Sequence, residues 1–469
     1  MTRYQPARLK LLAIFISALT AIGFVASTVP AAASGNTSQA TSATVPCIPS
    51  VQGPIPITPT SKPYIPTSQQ GTWPVAPNYT VQEFFLSCTA MGQSWKTRVL
   101  IRRPKSARQF SGTVVTEVPD GSIWTNSYYA ASYEMSAGIV SAMVESVPSY
   151  LDDYVIPSDP ERYATLHIPD VTGINYVIEA EIGALLKSGS RDRMLPDLNV
   201  RNVIFSGFSG SAAEVRGYIT AEHFQLRMPN GGPIYDGYFP EQAAVGSDPQ
   251  PIPDLDVPVI EIQGEREIIN SFQRLGNLDY RRPDGPLYRL YEVAAQPHVF
   301  TKAGEVQNVY GSWVCDSPRG PFVASDSSVA TQFDGWAIVS MGLRLLVRWV
   351  ADGIPAPHAP RIELNGDTVV RDQFGNAVGG VRSSYVNVPI ASYAATSVND
   401  PNVVQPSATC NMVGYEFRLP EATLHMLYPT HAAYVFDVAR DLATLTAQGW
   451  VTPQDARKRL EEAARANIP

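Results

Sequence analysis

The sequence predicts an α/β fold in which helices cover both faces of a mostly parallel central sheet, with additional helices towards the C-terminus. Of the 469 residues, 44% are apolar and 17% are charged, which is enough for a large core and excludes a disordered chain. Several of six short apolar runs are β-branched and continuous rather than alternating, as in strands that are buried on both faces. In chain order these predicted strands span 97–101, 112–118, 138–144, 202–205, 257–262 and 287–293.

Helices are predicted between and after these strands. Residues 174–186 carry apolar side chains at helical spacing, and strands interleaved with helices are typical of a doubly wound sheet. Beyond residue 300, the apolar segments 329–350 and 431–450 predict two long helices. A last helix is predicted after Thr452, which serves as its N-cap, because Pro453 then occupies the first helical position.

The N-terminus has the pattern of a secretory signal peptide. Basic residues precede a short apolar stretch that ends in an alanine-rich segment, so we predict that residues 1–33 are cleaved near Ala33 and that the protein is secreted or extracytoplasmic. A membrane anchor is the alternative, but the apolar stretch at 11–25 is shorter than the ~20 residues of a spanning helix. Residues 34–72, rich in Ser, Thr and Pro, are predicted to be a linker or arm. Residues 73–469 are predicted to form a single domain with inserts and a long C-terminal extension.

The charge and the cysteines narrow the choice of partners and compartment. With 35 basic and 43 acidic residues, the net charge is −8, so neither a nucleic-acid nor an anionic-membrane partner is expected. The four cysteines show no C-x-x-C spacing, which argues against a zinc or dithiol site and favours two disulfides. Three pairings are open. We favour Cys47–Cys88 with Cys315–Cys410, because the first pair brackets a hairpin-like region; buried free thiols are the alternative.

The segment around Ser209 is the part of the chain best suited to chemistry. The predicted strand 202–205 leads directly into a Gly-x-Ser-x-Ser sequence and then into a helix-compatible segment. This is the setting of a nucleophile elbow, where small neighbours permit a sharp turn and the next backbone N–H faces an oxyanion. Ser211 stands where glycine is usual. Ser206 and Ser211 are rival nucleophiles, but neither has glycine two positions earlier, so Ser209 is preferred over them and over an ordinary structural turn.

A serine nucleophile needs a base and an orienting acid, which in this kind of fold follow it in the chain. We predict His298 as the base because it lies in a loop after the strand 287–293. The acid is expected after the strand 257–262, where Glu267, three residues past a glycine, is preferred to Glu265. The alternative is that Glu265 and Glu267 belong to a solvated, charged turn and have no catalytic role. The remaining histidines are either too early in the chain or candidates for structural roles: His167, His223, His358, His425 and His431.

Two backbone N–H groups are expected to hold the oxyanion. One belongs to Gly210, and the other is predicted in the loop after the second strand, at Asp120 and Gly121, where glycine allows close approach to a substrate oxygen. Tyr128 and Tyr129, together with Trp124, follow this loop and line either a pocket or the core. This chemistry requires no metal and no cofactor.

Sequence blocks beyond the elbow resemble the exported bacterial α/β-hydrolase domain-containing proteins. The blocks are distributed over most of residues 95–465 and lie at 110–117, 159–163, the elbow 207–211 with 216–218, 291–298, 372–382 and 427–434. The resemblance implies an α/β-hydrolase fold and a serine-dependent ester-type hydrolase, with Ser209 as nucleophile, His298 as base and the acid in the turn 265–267. The chain departs from the family pattern after Glu117, where Val-Pro-Asp replaces a Trp-Leu-Asn run, and at Gly210, where glutamine is more usual.

The sequence therefore predicts a secreted serine hydrolase that cleaves a carboxylic ester through an acyl-enzyme intermediate. An acyltransferase, an amidase or peptidase, and a catalytically silent exported binding protein are the alternatives. The acidic composition favours a small neutral or weakly polar ester over a polyanion. The segment after residue 300 is expected to pack as extra helices around the pocket entrance.

Overall fold

A nine-stranded sheet forms the centre of the computed structural model. The structure describes residues 43–45, 47–65, 73–119, 125–243, 250–298, 329–330, 333–396, 412 and 414–468. In chain order the strands are β1 Ala43–Thr44, β2 Ser50–Gln52, β3 Tyr79–Ala90, β4 Gln93–Pro104, β5 Thr113–Glu117, β6 Val140–Val144, β7 Asn202–Phe208, β8 Leu226–Arg227, β9 Gly237–Glu241, β10 Val259–Gly264, β11 Tyr288–Val293, β12 Val329–Ala330, β13 Leu364–Asn365, β14 Thr368–Val369, β15 Ala391–Ala394 and β16 Tyr415–Arg418.

The central sheet is mostly parallel. Its strand order is β11-β10-β9-β7-β5-β6-β4-β3-β2, and neighbours from β11 to β6 run parallel. The β3–β4 hairpin and β2 continue the sheet in antiparallel pairing. Each of the six predicted runs overlaps one of these strands, and the predicted fold class is confirmed. β1 pairs with β8, β13 with β14, and β16 lies between β12 and β15 in a small separate sheet.

Helices cover both faces of the central sheet. They are α1 Asn126–Tyr129, α2 Ala131–Ser136, α3 Ile174–Lys187, α4 Gly210–Ala221, α5 Glu265–Leu275, α6 Gly335–Asp352, α7 Ser384–Asn387, α8 Glu421–Leu427, α9 His431–Gln448 and α10 Pro453–Arg465. Short helical turns lie at Ala107–Gln109, Pro148–Tyr150, Leu151–Val155, Ile156–Ser158 and Gly189–Arg193. Successive strand residues enter different cores, because side chains alternate across a strand. Val114 thus packs in the core that includes residues of α3 and α4, and Val115 in the core that includes residues of α6.

The C-terminal helices begin and end at recognisable signals. The predicted helix 329–350 starts later than expected, because Val329–Ala330 pairs with β16 and the Asp334 side chain caps α6 at Gly335. Apolar periodicity alone does not reveal this change of structure. α9 ends at Gly449, which has a φ of 90° that favours glycine. Thr452 caps α10, with its hydroxyl accepting from the backbone N–H of Asp455, as the sequence predicts.

The Ser/Thr/Pro-rich segment contributes strands that the sequence did not predict. Within the described part of 34–72, β1 pairs with β8, and β2 forms the edge of the central sheet against β3. A disulfide joins Cys47 to Cys88 of β3, which is one of the two predicted pairs. The predicted leader 1–33 and the cysteines Cys315 and Cys410 lie outside the described residues. None of the helices in the described ranges is long and apolar enough to cross a membrane.

We expect the carboxyl group of Glu179 on α3 to make the stability of this fold pH-dependent. It is fully buried, and burial raises its pKa from 4.5 to about 8, helped by the nearby charge of Glu214. The native state therefore binds the proton more tightly than the unfolded chain does. Stability should fall as the pH rises from about 4.5 towards 8, by roughly 1.4 kcal/mol per pKa unit. The Glu179→Gln variant should lose less stability over that interval, as measured by urea unfolding at pH 5 and pH 8.

A matched control for this measurement is Glu461→Gln, because Glu461 lies on α10 with its side chain 55% exposed. That variant should follow the wild-type pH dependence. An unchanged pH dependence in Glu179→Gln would show that the buried carboxyl on α3 does not bind the proton.

Candidate active site

Ser209 sits at a strained turn between β7 and α4. Its φ of 56° and ψ of −117° lie in a region that residues other than glycine rarely adopt. Gly207 permits this turn, because a Cβ at that position would lie 2.3 Å from the backbone oxygen of Ser211. The Ser209 side chain is therefore presented at the carboxyl end of the strand, at the start of a helix.

The two rival serines have other roles in the turn. The hydroxyl of Ser211 donates to the carbonyl of Phe208 at 2.8 Å and accepts from its N–H at 2.7 Å, so it closes the turn. The hydroxyl of Ser206 accepts from the Asn126 side chain at 2.9 Å. Both serines are completely buried, whereas Ser209 is partly exposed.

A chain of two hydrogen bonds connects Ser209, His298 and Glu267. Ser209 Oγ lies 2.8 Å from His298 Nε2, and His298 Nδ1 lies 2.7 Å from Glu267 Oε1. The histidine follows β11, and the glutamate lies in the first turn of α5. The tautomer with its proton on Nδ1 donates to the carboxylate and leaves Nε2 free to accept from the serine hydroxyl. The structure thus brings together three residues that the sequence placed far apart.

The carboxylate of Glu267 is buried and yet stays ionised. Burial raises its pKa, but the charges and hydrogen bonds of His298 and Arg266 outweigh burial and hold the pKa below its usual range. Arg266 Nη1 lies 3.0 Å from the same oxygen that faces His298. A buried carboxylate in this state can hold the imidazole in one orientation and stabilise its cation.

The other predicted acid, Glu265, has a different environment. Its carboxylate forms an ion pair with Arg371 at 2.6 Å and accepts from the backbone N–H of Ala295 at 2.8 Å. Ala295 has a φ of 66° and lies three residues before His298. Glu265 therefore fixes the main chain that leads to the histidine, while Glu267 contacts the histidine itself.

Two glutamines that no sequence motif marks hold the segment 294–298, which ends in His298 and is called the histidine loop below. Gln242 Nε2 donates to the carbonyl of Pro297 at 3.1 Å, and Gln296 Nε2 donates to Glu241 Oε1 at 3.2 Å. The backbone carbonyl of Glu241 in turn accepts from the N–H of Ser209 at 3.0 Å. The end of β9 thus connects the serine turn to the histidine loop. No motif in the sequence marks these contacts.

Only part of the predicted oxyanion site is described. Gly210 begins α4, where the first backbone N–H groups have no acceptor within the helix, so its N–H is suited to an oxyanion. Asp120, Gly121 and Trp124 lie outside the described residues. The predicted oxyanion site at Gly210 and at 120–121 remains a prediction.

The start of α1 is hydrogen-bonded to the end of β5 and to the serine turn. Glu117 accepts from the backbone N–H groups of Asn126 and Ser127, at 2.6 and 2.9 Å, at the start of α1. Asn126 Nδ2 donates to Ser206 Oγ and, at 3.0 Å, to the carbonyl of Gly207. Burial raises the pKa of Glu117 to about 8, against the lowering effect of these N–H donors. Glu117 appeared in the sequence only as part of a family block, which gave no reason to predict this contact.

Aromatic rings pack beside the histidine. The ring centroid of Phe208 lies 5.4 Å from that of His298, and the ring of Tyr129 lies 5.3 Å from that of Phe208. Trp336 on α6 packs edge-on against both Tyr128 and Tyr129. Two of the predicted pocket aromatics therefore belong to a cluster next to the histidine, in which Tyr129 is buried and Tyr128 is half-buried.

Among the described residues, one group has potential metal ligands spaced closely enough for an ion. It consists of Cys47, Cys88 and Glu181. The two sulfur atoms are joined in the disulfide, so they are not thiolate ligands. The group lies outside the Ser209–His298–Glu267 network and does not supply chemistry to it.

The fold and the serine turn define an α/β-hydrolase. The family model described as "Alpha/beta hydrolase domain" matches residues 51–461, and the chain belongs to this family. No curated protein sequence matches the chain.

The chain is similar to three solved esterase structures over about half of its length. Esterase Est22 shares 12% identity at a TM-score of 0.31, covering 46% of this chain and 72% of its own. An esterase of Pyrobaculum calidifontis shares 10% identity at a TM-score of 0.29, covering 47% and 76%. A thermostable esterase of Pseudomonas putida ECU1011 shares 8% identity at a TM-score of 0.29, covering 50% and 78%.

Proposed function

We propose that this protein is a secreted serine hydrolase that cleaves small carboxylic esters through an acyl-enzyme intermediate. The observation that carries the proposal is the pair of short hydrogen bonds linking Ser209, His298 and Glu267 at a strained turn. A partly exposed serine held against an imidazole, which is itself held by a buried ionised carboxylate, is the arrangement that activates a hydroxyl for nucleophilic attack.

The first half of the reaction transfers the acyl group to the enzyme. Ser209 Oγ forms a bond to the ester carbonyl carbon while its proton passes to His298 Nε2. The carbonyl oxygen becomes an oxyanion, which the N–H of Gly210 and a donor from the 120–121 loop stabilise. The tetrahedral intermediate collapses when the bond to the alcohol oxygen breaks, and His298 returns the proton to that oxygen. Glu267 keeps the imidazolium oriented throughout.

The second half regenerates the serine. A water molecule gives a proton to His298 Nε2 and attacks the acyl carbon, and a second oxyanion forms in the same place. Its collapse breaks the bond to Ser209 Oγ, which takes the proton back from His298. The products are one alcohol and one carboxylic acid. Each step uses only side chains and backbone groups of the chain together with water.

The proposed compartment is extracytoplasmic. The predicted leader at 1–33 supports export, and the Cys47–Cys88 disulfide is compatible with an oxidising compartment. We propose that residues 73–469 form one catalytic domain, and that the preceding arm contributes its strands β1 and β2 to that domain.

Labelling with a fluorophosphonate probe tests the proposal. The mature protein, Ser209→Ala and His298→Ala are treated in parallel, and the modified peptide is mapped by mass spectrometry. We expect label on Ser209, lost in Ser209→Ala and strongly reduced in His298→Ala. Label on Ser206 or Ser211 would contradict the assignment, and absence of label would favour a catalytically silent binding protein.

The products then define the reaction class. Ester turnover with water as the acceptor supports a hydrolase, whereas preferential transfer to an added alcohol would define an acyltransferase. Faster turnover of a matched amide than of the ester would define an amidase. Each outcome uses the same acyl-enzyme, so labelling of Ser209 alone does not separate them.

A further inference from the structure

A cavity of about 270 Å³ lies between the second half of α6, the segment that follows it and the last turn of α9. None of its lining residues belongs to the Ser209–His298–Glu267 network. Two arginines and several apolar side chains form its walls: Arg344, Arg348, Leu345, Ile354, Pro355 and Pro357. We call it the arginine cavity.

The two arginines stand one helical turn apart and carry like charges. Neither Arg344 nor Arg348 forms an ion pair or a hydrogen bond through its guanidinium within the described part of the chain. One terminal nitrogen of Arg344, Nη1, is buried without any acceptor. Like charges at this spacing repel each other, and a buried donor without an acceptor costs free energy. An anion in the cavity would offset the repulsion between the two guanidinium groups.

The surrounding charges do not neutralise the pair. The C-terminal ends of α6 and α9 meet at the cavity, and each contributes about half a negative charge. Asp352 lies one turn beyond Arg348, but it is exposed and forms no ion pair with either arginine within 4.0 Å. The two guanidinium charges therefore exceed the helix-end charge by about one unit. The phenol of Tyr133 interacts electrostatically with both arginines, but burial raises its pKa and it is neutral.

We propose that the arginine cavity binds a small monocarboxylate with a short apolar tail. A guanidinium presents parallel N–H donors that match the two oxygens of a carboxylate. The proline, leucine and isoleucine walls suit an apolar tail. The volume lies just below the ~300–1,000 Å³ of pockets for drug-sized ligands, so the occupant is smaller than those. The proposal does not rest on the proposed catalytic function.

Titration calorimetry with hexanoate and benzoate tests this site, with hexanamide as the uncharged match. We expect both carboxylates to bind with one site per chain, more weakly at high salt, and hexanamide not to bind. Arg344→Gln and Arg348→Gln should each weaken hexanoate binding by about tenfold or more. Arg440→Gln is the matched control: it removes one positive charge from an exposed pair with Asp437 on α9 and should bind hexanoate as the wild type does.

Three results would overturn the proposal. They are no hexanoate binding, equal binding by all arginine variants, and an equal loss in Arg440→Gln. If the carboxylate bound at Ser209 instead, all arginine variants would bind it equally well, so the test separates the two sites. Arg348→Lys keeps the charge and loses the paired donors, so it should bind hexanoate with intermediate affinity. If the glutamine variants do not fold, Arg348→Lys is the variant that tests the proposal.

Discussion

Replacing His298 by alanine is expected to lower kcat for an activated ester by about 10⁶-fold, and Ser209→Ala should have a similar effect. The two residues act as one unit, since the serine hydroxyl gives its proton to Nε2 of the histidine 2.8 Å away. The double variant should therefore be no slower than either single variant. Initial rates with a chromogenic ester, at saturating concentration, measure this effect.

His358→Ala is the control for the loss of an imidazole. Its side chain is 68% exposed and pairs with Asp284 on the surface. This variant should keep the wild-type kcat. An His298→Ala variant that retained more than about a hundredth of the activity would contradict the role of the histidine as base, because general-base catalysis contributes at least ~10²-fold.

The second large effect is expected at the acid. Glu267→Gln keeps the size of the side chain but removes the charge that orients His298 and stabilises its cation, so kcat should fall by about 10⁴-fold. Because the pKa of Glu267 lies below its usual range, its stabilising effect is present at neutral pH and is lost as the pH falls through that lowered pKa. Glu267→Gln should therefore show weaker acid destabilisation than the wild type.

Glu265→Gln provides the matched comparison two residues away. It retains an acceptor for the N–H of Ala295 and loses the ion pair with Arg371. We expect its kcat to stay within about tenfold of wild type, since the Glu265 carboxylate holds the main chain at Ala295, whereas Glu267 contacts the imidazole itself. A larger fall in kcat for Glu265→Gln than for Glu267→Gln would reassign the acid.

Much of the fold was predictable because the signals are local. Buried parallel strands leave continuous apolar runs, and each of the six runs overlaps a strand of the central sheet. The turn at Ser209 is also local, since its geometry depends on small residues within the segment 207–211. The start of α6 was misplaced because the strand at Val329–Ala330 depends on a partner more than 80 residues away, in β16.

The choice between Glu265 and Glu267 shows where local reasoning stops. Two positions apart on a helix, their side chains point about 200° apart, so the start of α5 decides which one faces His298. The contacts that support the histidine loop and the serine turn were even harder to predict from the sequence. Gln242 reaches Pro297, and Asn126 reaches Gly207, through hydrogen bonds between segments that are more than 50 residues apart. No periodicity or short motif records such contacts.

The N-terminal arm has a consequence for solubility. β3 is twelve residues long, and among the residues that the structure describes only Ser50–Gln52 pairs with its outer side in register. The N–H of Ile55 then donates to the Glu83 carbonyl. The Cys47–Cys88 bond keeps this short cover in place. Reduction would leave this cover held by its pairing with β3 and by the packing of Val51 and Ile55 against the core. If it opened, the uncovered edge of β3 would be a template for strands of other molecules. We therefore expect the disulfide to limit self-association, and the protein to aggregate more readily in reducing conditions.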